Sequence, residues 1–271
     1  MAFVEYKGKN IYYEVHGDGE PIVILNGIMM SHISWSFCIP ELCRNNKVIL
    51  LDFLDQGKSD KMDSLYKQDI QVEVVKTMID KLKLDKINLF GISYGGEVAL
   101  QFALKYKDFL NKLILFNTTS CTNSWLKDIG RGWINAAETK DPETFYNVTI
   151  PVIYSPNFYN KNIEWMNRRK EILYKVFQKD FLMAMIRLIQ SAEGYDVRER
   201  LNEINTDTLI VSSEHDFITP VIEQEYIYKN ITNSKYILIR ECGHASMYEK
   251  PNEFIGILKG YLSVKKEIKI V

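Results

Sequence analysis

Apolar and polar positions alternate over FVEY and NIYYEVH, with Gly8 between, and this spacing predicts a hairpin over residues 3–16. Continuous apolar runs follow at Pro21–Asn26 and Lys47–Asp52, of the kind found in strands covered on both faces. Between them a helical segment is expected from Ser31 to about Arg44, carrying Trp35, Phe37, Ile39 and Leu42. Val72, Val75, Met78, Ile79 and Leu82 lie at helical spacing and predict a helix over Asp69–Leu84. Strands are expected at Ile87–Phe90, Lys112–Phe116, Thr208–Ser212 and Tyr236–Ile239. Helices are expected after Gly96 to about Asp108, from Val221 to about Asn230 and over Pro251–Val264. Strands alternating with helices point to an α/β fold with a mainly parallel sheet.

The rhythm stops after Thr119. Residues 121–196 lack the strand–turn–helix alternation and are rich in aromatics, from Trp125 to Phe181. They are expected to form a helical cap inserted into a core built from 1–120 and 197–271, and most of the aromatics are expected to be ordinary core.

Composition narrows the function classes. The 271 residues carry 34 Lys+Arg and 35 Asp+Glu, a balance that gives no electrostatic reason to bind nucleic acid. No apolar run approaches the ~18–20 residues of a membrane-spanning helix, and the opening MAFVEYKGKN has no secretory-signal pattern. The four cysteines are scattered without a C-x-x-C, so reduced thiols in a cytoplasmic protein are expected, and no metal site. Gly57-Lys58-Ser59 resembles the end of a phosphate loop, but Asp52 stands where that loop needs its first glycine, which argues against nucleotide binding. The basic tail KKEIKIV is expected to be exposed.

The chemistry centres on Gly91-Ile92-Ser93-Tyr94-Gly95, between an apolar strand and a helix. This G-x-S-x-G spacing puts a serine at the apex of a tight turn, with glycines where strand and helix pack too closely for side chains. A serine hydroxyl needs a base, and the base needs an acid to orient it. Of His16, His32, His215 and His244, only His244 follows the last strand, beside Gly243 and small Ala245 and Ser246. His16 and His32 are expected to be structural or solvent-facing, although His32 could approach the mouth of the site. Asp216 follows the TLIVS strand and is the candidate acid, with Glu214 as rival. The preceding strand ends in Asn117-Thr118-Thr119-Ser120, with no carboxylate. Backbone N–H groups of Tyr94 and Ile28, with Met29 second to Ile28, are the candidate oxyanion donors.

Together these residues resemble the α/β-hydrolase family over roughly 3–120 and 197–264. Asn26-Gly27-Ile28 sits where many members have His-Gly-x. Asp52–Ser59 looks like the family's D-x-R-G-x-G-x-S loop, with Leu54-Asp55 for Arg-Gly. Ser213–Asp216 resembles its acid loop, and Gly243-His244 its histidine loop. The resemblance implies an eight-stranded sheet, a helical cap and cofactor-free acyl-enzyme chemistry by Ser93, His244 and Asp216. Serine at the elbow argues against the epoxide hydrolases and haloalkane dehalogenases, which use aspartate. The leading expectation is carboxylesterase-like cleavage of a small-to-medium ester by a monomer or homodimer. Thioester, lactone or carbon–carbon hydrolysis and acyl transfer use the same groups. A small-molecule sensor acting through a protein partner is the reading from another class.

Overall fold

The apolar runs become the strands of one sheet. The computed structural model describes residues 2–264, so the expectation for the tail KKEIKIV falls outside the described residues. The strands are β1 (Ala2–Tyr6), β2 (Lys9–His16), β3 (Glu20–Leu25), β4 (Asn46–Leu51), β5 (Ile87–Ile92), β6 (Leu110–Phe116), β7 (Asp207–Ser213) and β8 (Ser234–Ile239). Their order across the sheet is β1-β2-β4-β3-β5-β6-β7-β8. β2 runs antiparallel to β1 and β4; every other neighbouring pair is parallel.

Strand alternation sends side chains into two cores. Val23, Leu25, Ile49, Leu51, Leu113 and Leu115 face one side. Ile22, Ile24, Val48, Leu50, Ile114 and Phe116 face the other. Helices cover both: α1 (Ile39–Leu42), α2 (Asp69–Lys81), α3 (Tyr94–Lys105), α4 (Ser124–Glu138), α5 (Pro142–Thr149), α6 (Pro156–Lys161), α7 (Ile163–Val176), α8 (Lys179–Ser191), α9 (Val221–Asn230), α10 (Ser246–Glu249) and α11 (Pro251–Ser263). Among the described residues no helix is long and apolar enough to cross a membrane.

Two expected helices differ. The segment 31–44 is a 3-10 turn at His32–Trp35 followed by the short α1. Pro40 has no N–H to give to an upstream carbonyl, so one continuous helix cannot pass through it. α2 stops at Lys81, because Lys83 turns the chain with φ +52°.

Between β6 and β7 lie α4 to α8. The two ends of this stretch are stitched together: Cys121 and Asp196 form an antiparallel bridge, Thr122 N–H donates to Tyr195 O, and Val197 N–H donates to Ser120 O. Side-chain caps start three of its helices: Asn123 accepts from Leu126 N–H, Asp141 from Thr144 N–H and Ser155 from Phe158 N–H. Phe145, Tyr146, Tyr154 and Phe177 are fully buried among these helices, with the Phe145 and Phe177 rings 5.0 Å apart edge to face.

Candidate active site

β5 delivers Ser93, and the turn there is forced. Ser93 has φ 54° and ψ −125°, in the left-handed half of the map that non-glycine residues rarely adopt. Its N–H is held by Phe116 O at 3.0 Å, and its carbonyl accepts from Gly96 N–H and from the Thr118 hydroxyl, each at 2.8 Å. A methyl group on Gly91 would run into the Gly95 carbonyl, and one on Gly95 into the Leu25 carbonyl. The glycines on either side of the serine therefore set how closely α3 can pack on β5 and β3.

The loop after β8 carries His244. A side chain at Gly243 would strike the Ser155 backbone and Glu249 Oε1, so this position needs glycine. The loop after β7 carries Asp216, and the His215 N–H donates to Cys242 O at 2.8 Å, fastening the two loops together. His244 Nδ1 lies 2.7 Å from Asp216 Oδ2, and His244 Nε2 lies 2.9 Å from Ser93 Oγ. An ionised carboxylate can only accept, so Nδ1 carries the hydrogen and Nε2 is free to accept from the serine.

Asp216 is buried and accepts from Ile218 N–H, Thr219 N–H, the Thr219 hydroxyl and the Asn117 amide, all at 2.9 Å. Burial pushes its carboxyl up, but the His244 charge and these hydrogen bonds outweigh that and hold it below its ordinary value. The rival Glu214 turns elsewhere: Oε2 accepts from Glu241 N–H at 2.8 Å. His32 does not reach the site. Its ring is buried, with Nδ1 2.6 Å from Asp52 Oδ2.

The loop after β3 presents Ile28. Gly27–Met30 is a turn closed by Met30 N–H to Gly27 O at 3.1 Å. Gln56 grips it from the other side, donating to Gly27 O at 2.9 Å and Ile28 O at 3.2 Å. Asn26, in place of the more usual histidine, donates to Leu51 O at 2.8 Å and Gln56 Oε1 at 3.1 Å, and accepts from Trp35 Nε1 at 2.7 Å. Tyr94 is the first residue of α3, where the helix supplies no carbonyl for the backbone N–H.

Ser93, His244, Ile28 and Tyr94 all border one cavity of about 150 Å³, enclosed by α4, α7 and the 150–154 segment. Its wall is mostly apolar, with Trp133, Ile153, Leu173 and Phe177 among the lining side chains. Two charged groups join it, Glu97 from α3 and Arg169 from α7. Burial pushes the Glu97 carboxyl up to about 8, against a hydrogen bond from Gln68 at 2.6 Å. Sequence reasoning singled out neither of them, nor Gln56 or Thr219, and it noted Asn117 only for not being an acid. The signal for Glu97 was available: a charged residue one helical turn after Ser93 shares its face.

Comparison with known proteins agrees with the fold. Residues 20–150 match the family model described as alpha/beta hydrolase fold. The crystal structure of an alpha/beta hydrolase enzyme from a Medee basin deep-sea metagenome library is 42% identical, covers all of both chains and has a TM-score of 0.97. A proline iminopeptidase of Lactobacillus crispatus is 26% identical over 95% of this chain and 96% of its own. A 3-oxoadipate enol-lactonase of Acinetobacter baylyi is 24% identical over 94% of each.

Proposed function

This chain belongs to the alpha/beta hydrolase family, and on that premise we propose that it is a serine hydrolase of small-to-medium carboxylic esters. The observation that carries the reading is the unbroken run of hydrogen bonds from Asp216 through His244 to Ser93, ending at an apolar cavity. In this reading residues 121–196 are the cap, over a core of 1–120 and 197–271.

The reaction follows from the contacts. His244 Nε2 takes the Ser93 proton as Oγ attacks the ester carbonyl. The Asp216 carboxylate stabilises the imidazolium and keeps the ring in the useful tautomer. The Tyr94 and Ile28 N–H groups receive the oxyanion, each worth roughly 3 kcal/mol of barrier. His244 then returns the proton to the departing alcohol, leaving an acyl group on Ser93. Water, deprotonated by the same ring, releases the acid. A space of about 150 Å³ is of the order that holds a benzene-sized group, which favours short or compact acyl groups over long chains.

The iminopeptidase relatives favour a second reading, removal of an N-terminal residue. A pocket that contains the Arg169 guanidinium is a poor host for a substrate ammonium group, and this supports the ester reading. The test is a panel of p-nitrophenyl acetate, butyrate and octanoate beside L-prolyl-p-nitroanilide and simple lactones. Turnover strongest on the short esters and lost in Ser93→Ala supports the proposal. Turnover of the anilide alone would replace it with the peptidase reading.

A further inference from the structure

Two arginines of the inserted helices differ in one respect. Arg187 on α8 forks onto Asp55, with Nε 3.1 Å from both carboxylate oxygens and a terminal nitrogen 2.5 Å from Oδ1. Arg169 on α7 has no such partner. Among the described residues no carboxylate forms an ion pair with it, and its Nε is buried without a hydrogen-bond acceptor. The guanidinium lies instead over the Tyr248 ring, 4.3 Å from its centroid, and 5.4 Å from that of Trp165. The hydroxyls of Tyr154 and Tyr248 face it. All of these except Trp165 border the cavity that holds Ser93 and His244.

A partly buried cation with a buried, unpaired donor is costly to keep unless something of opposite charge completes it. Stacking on an aromatic face leaves N–H groups at the edge of the plane, beside the Tyr154 and Tyr248 hydroxyls, and a guanidinium edge is suited to receive a carboxylate with two parallel hydrogen bonds. Glu97, the other charged wall residue, is largely protonated at neutral pH and hydrogen-bonded to Gln68, so it does not cancel the arginine. We propose that Arg169, with the Tyr154 and Tyr248 hydroxyls, is a carboxylate receptor, and that the substrate is an ester bearing a second, free carboxylate, such as a half-ester of a short dicarboxylic acid. This deepens the reading of the cavity as an ester-hydrolase site and rests on it.

The test compares mono-p-nitrophenyl glutarate with p-nitrophenyl valerate, close in shape but differing in the terminal carboxylate. The wild-type protein is expected to favour the glutarate at least tenfold in kcat/KM. Arg169→Met is expected to lose most of that preference, with the fall in glutarate kcat/KM arising chiefly through KM and exceeding any change on valerate. Arg169→Lys should keep part of the preference, which a purely structural role for the stacked guanidinium would not predict. Free glutarate should raise the Tm of the wild-type protein and not that of Arg169→Met. Valerate turnover with no glutarate preference, or a preference unchanged in Arg169→Met, would overturn the receptor and leave the hydrolase intact. Absence of turnover on both esters would remove the hydrolase reading, and the glutarate Tm shift would then decide the receptor alone.

Discussion

Asn117 donates its side-chain amide to Asp216 Oδ2 at 2.9 Å, the same oxygen that faces His244 Nδ1. Asn117 sits just past the end of β6 with φ 45°, and its side-chain Oδ1 accepts from the Ser246 hydroxyl at 2.9 Å. The ends of two neighbouring strands therefore converge on one carboxylate oxygen. Asp216→Asn should cut kcat about 10⁴-fold on p-nitrophenyl acetate, as loss of this acid does in a comparable triad. Moving the carboxylate across, in the double variant Asn117→Asp, Asp216→Asn, should recover at least tenfold of that loss. No recovery would mean that an acid at 117 cannot serve the His244 ring.

Gln56 holds both carbonyls of the turn that presents the Ile28 N–H. Gln56→Leu should lower kcat ten- to a hundredfold with little change in KM, because an oxyanion donor acts on the transition state rather than on bound ester. Steady-state kinetics on a short p-nitrophenyl ester separates the two constants. A raised KM at constant kcat would assign the turn to ground-state binding.

The strands and the elbow were legible because their signals are local. Four- to six-residue apolar runs and glycines at fixed offsets from Ser93 report their environment directly. The places of Ser93, Asp216 and His244 just past strand ends were legible for the same reason. What the sequence hid depends on contacts between distant segments. Glu214 and Asp216 are two residues apart, and only the path of the loop turns one to Glu241 N–H and the other to His244. The orphaned donor of Arg169 is a property of the folded neighbourhood. The break at Pro40 was readable and outweighs the apolar pattern that suggested one long helix.

Asp55 occupies a left-handed position, φ 71°, and its buried carboxylate joins the core to α8 through Arg187. Arg187→Met strands that carboxylate and should cost about 3–5 kcal/mol of stability. Adding Asp55→Asn should restore part of it. Urea midpoints of the wild-type, single and double variants measure both effects. An Arg187→Met midpoint equal to wild type would show that the pair contributes nothing.

Glu97 gives stability a pH dependence of definite sign. Its carboxyl is raised from an ordinary 4.5 to about 8 in the fold, so between these values the folded protein binds more protons than the unfolded chain. Stability from this group is full below about pH 4.5 and falls as pH rises toward about 8. Glu97→Gln keeps an acceptor for Gln68 and removes the titration. Its Tm relative to wild type should therefore climb across that window and level off above it. A constant difference from pH 5 to pH 8 would place the charged form of Glu97 in a better environment than the one described.

The most direct measurement is intact and peptide mass spectrometry after exposure to a fluorophosphonate. The account predicts one adduct per chain on the Ser93 peptide, formed far more slowly in His244→Ala and absent in Ser93→Ala. No adduct on the wild-type protein, or labelling of Ser93 at the same rate without His244, would contradict it.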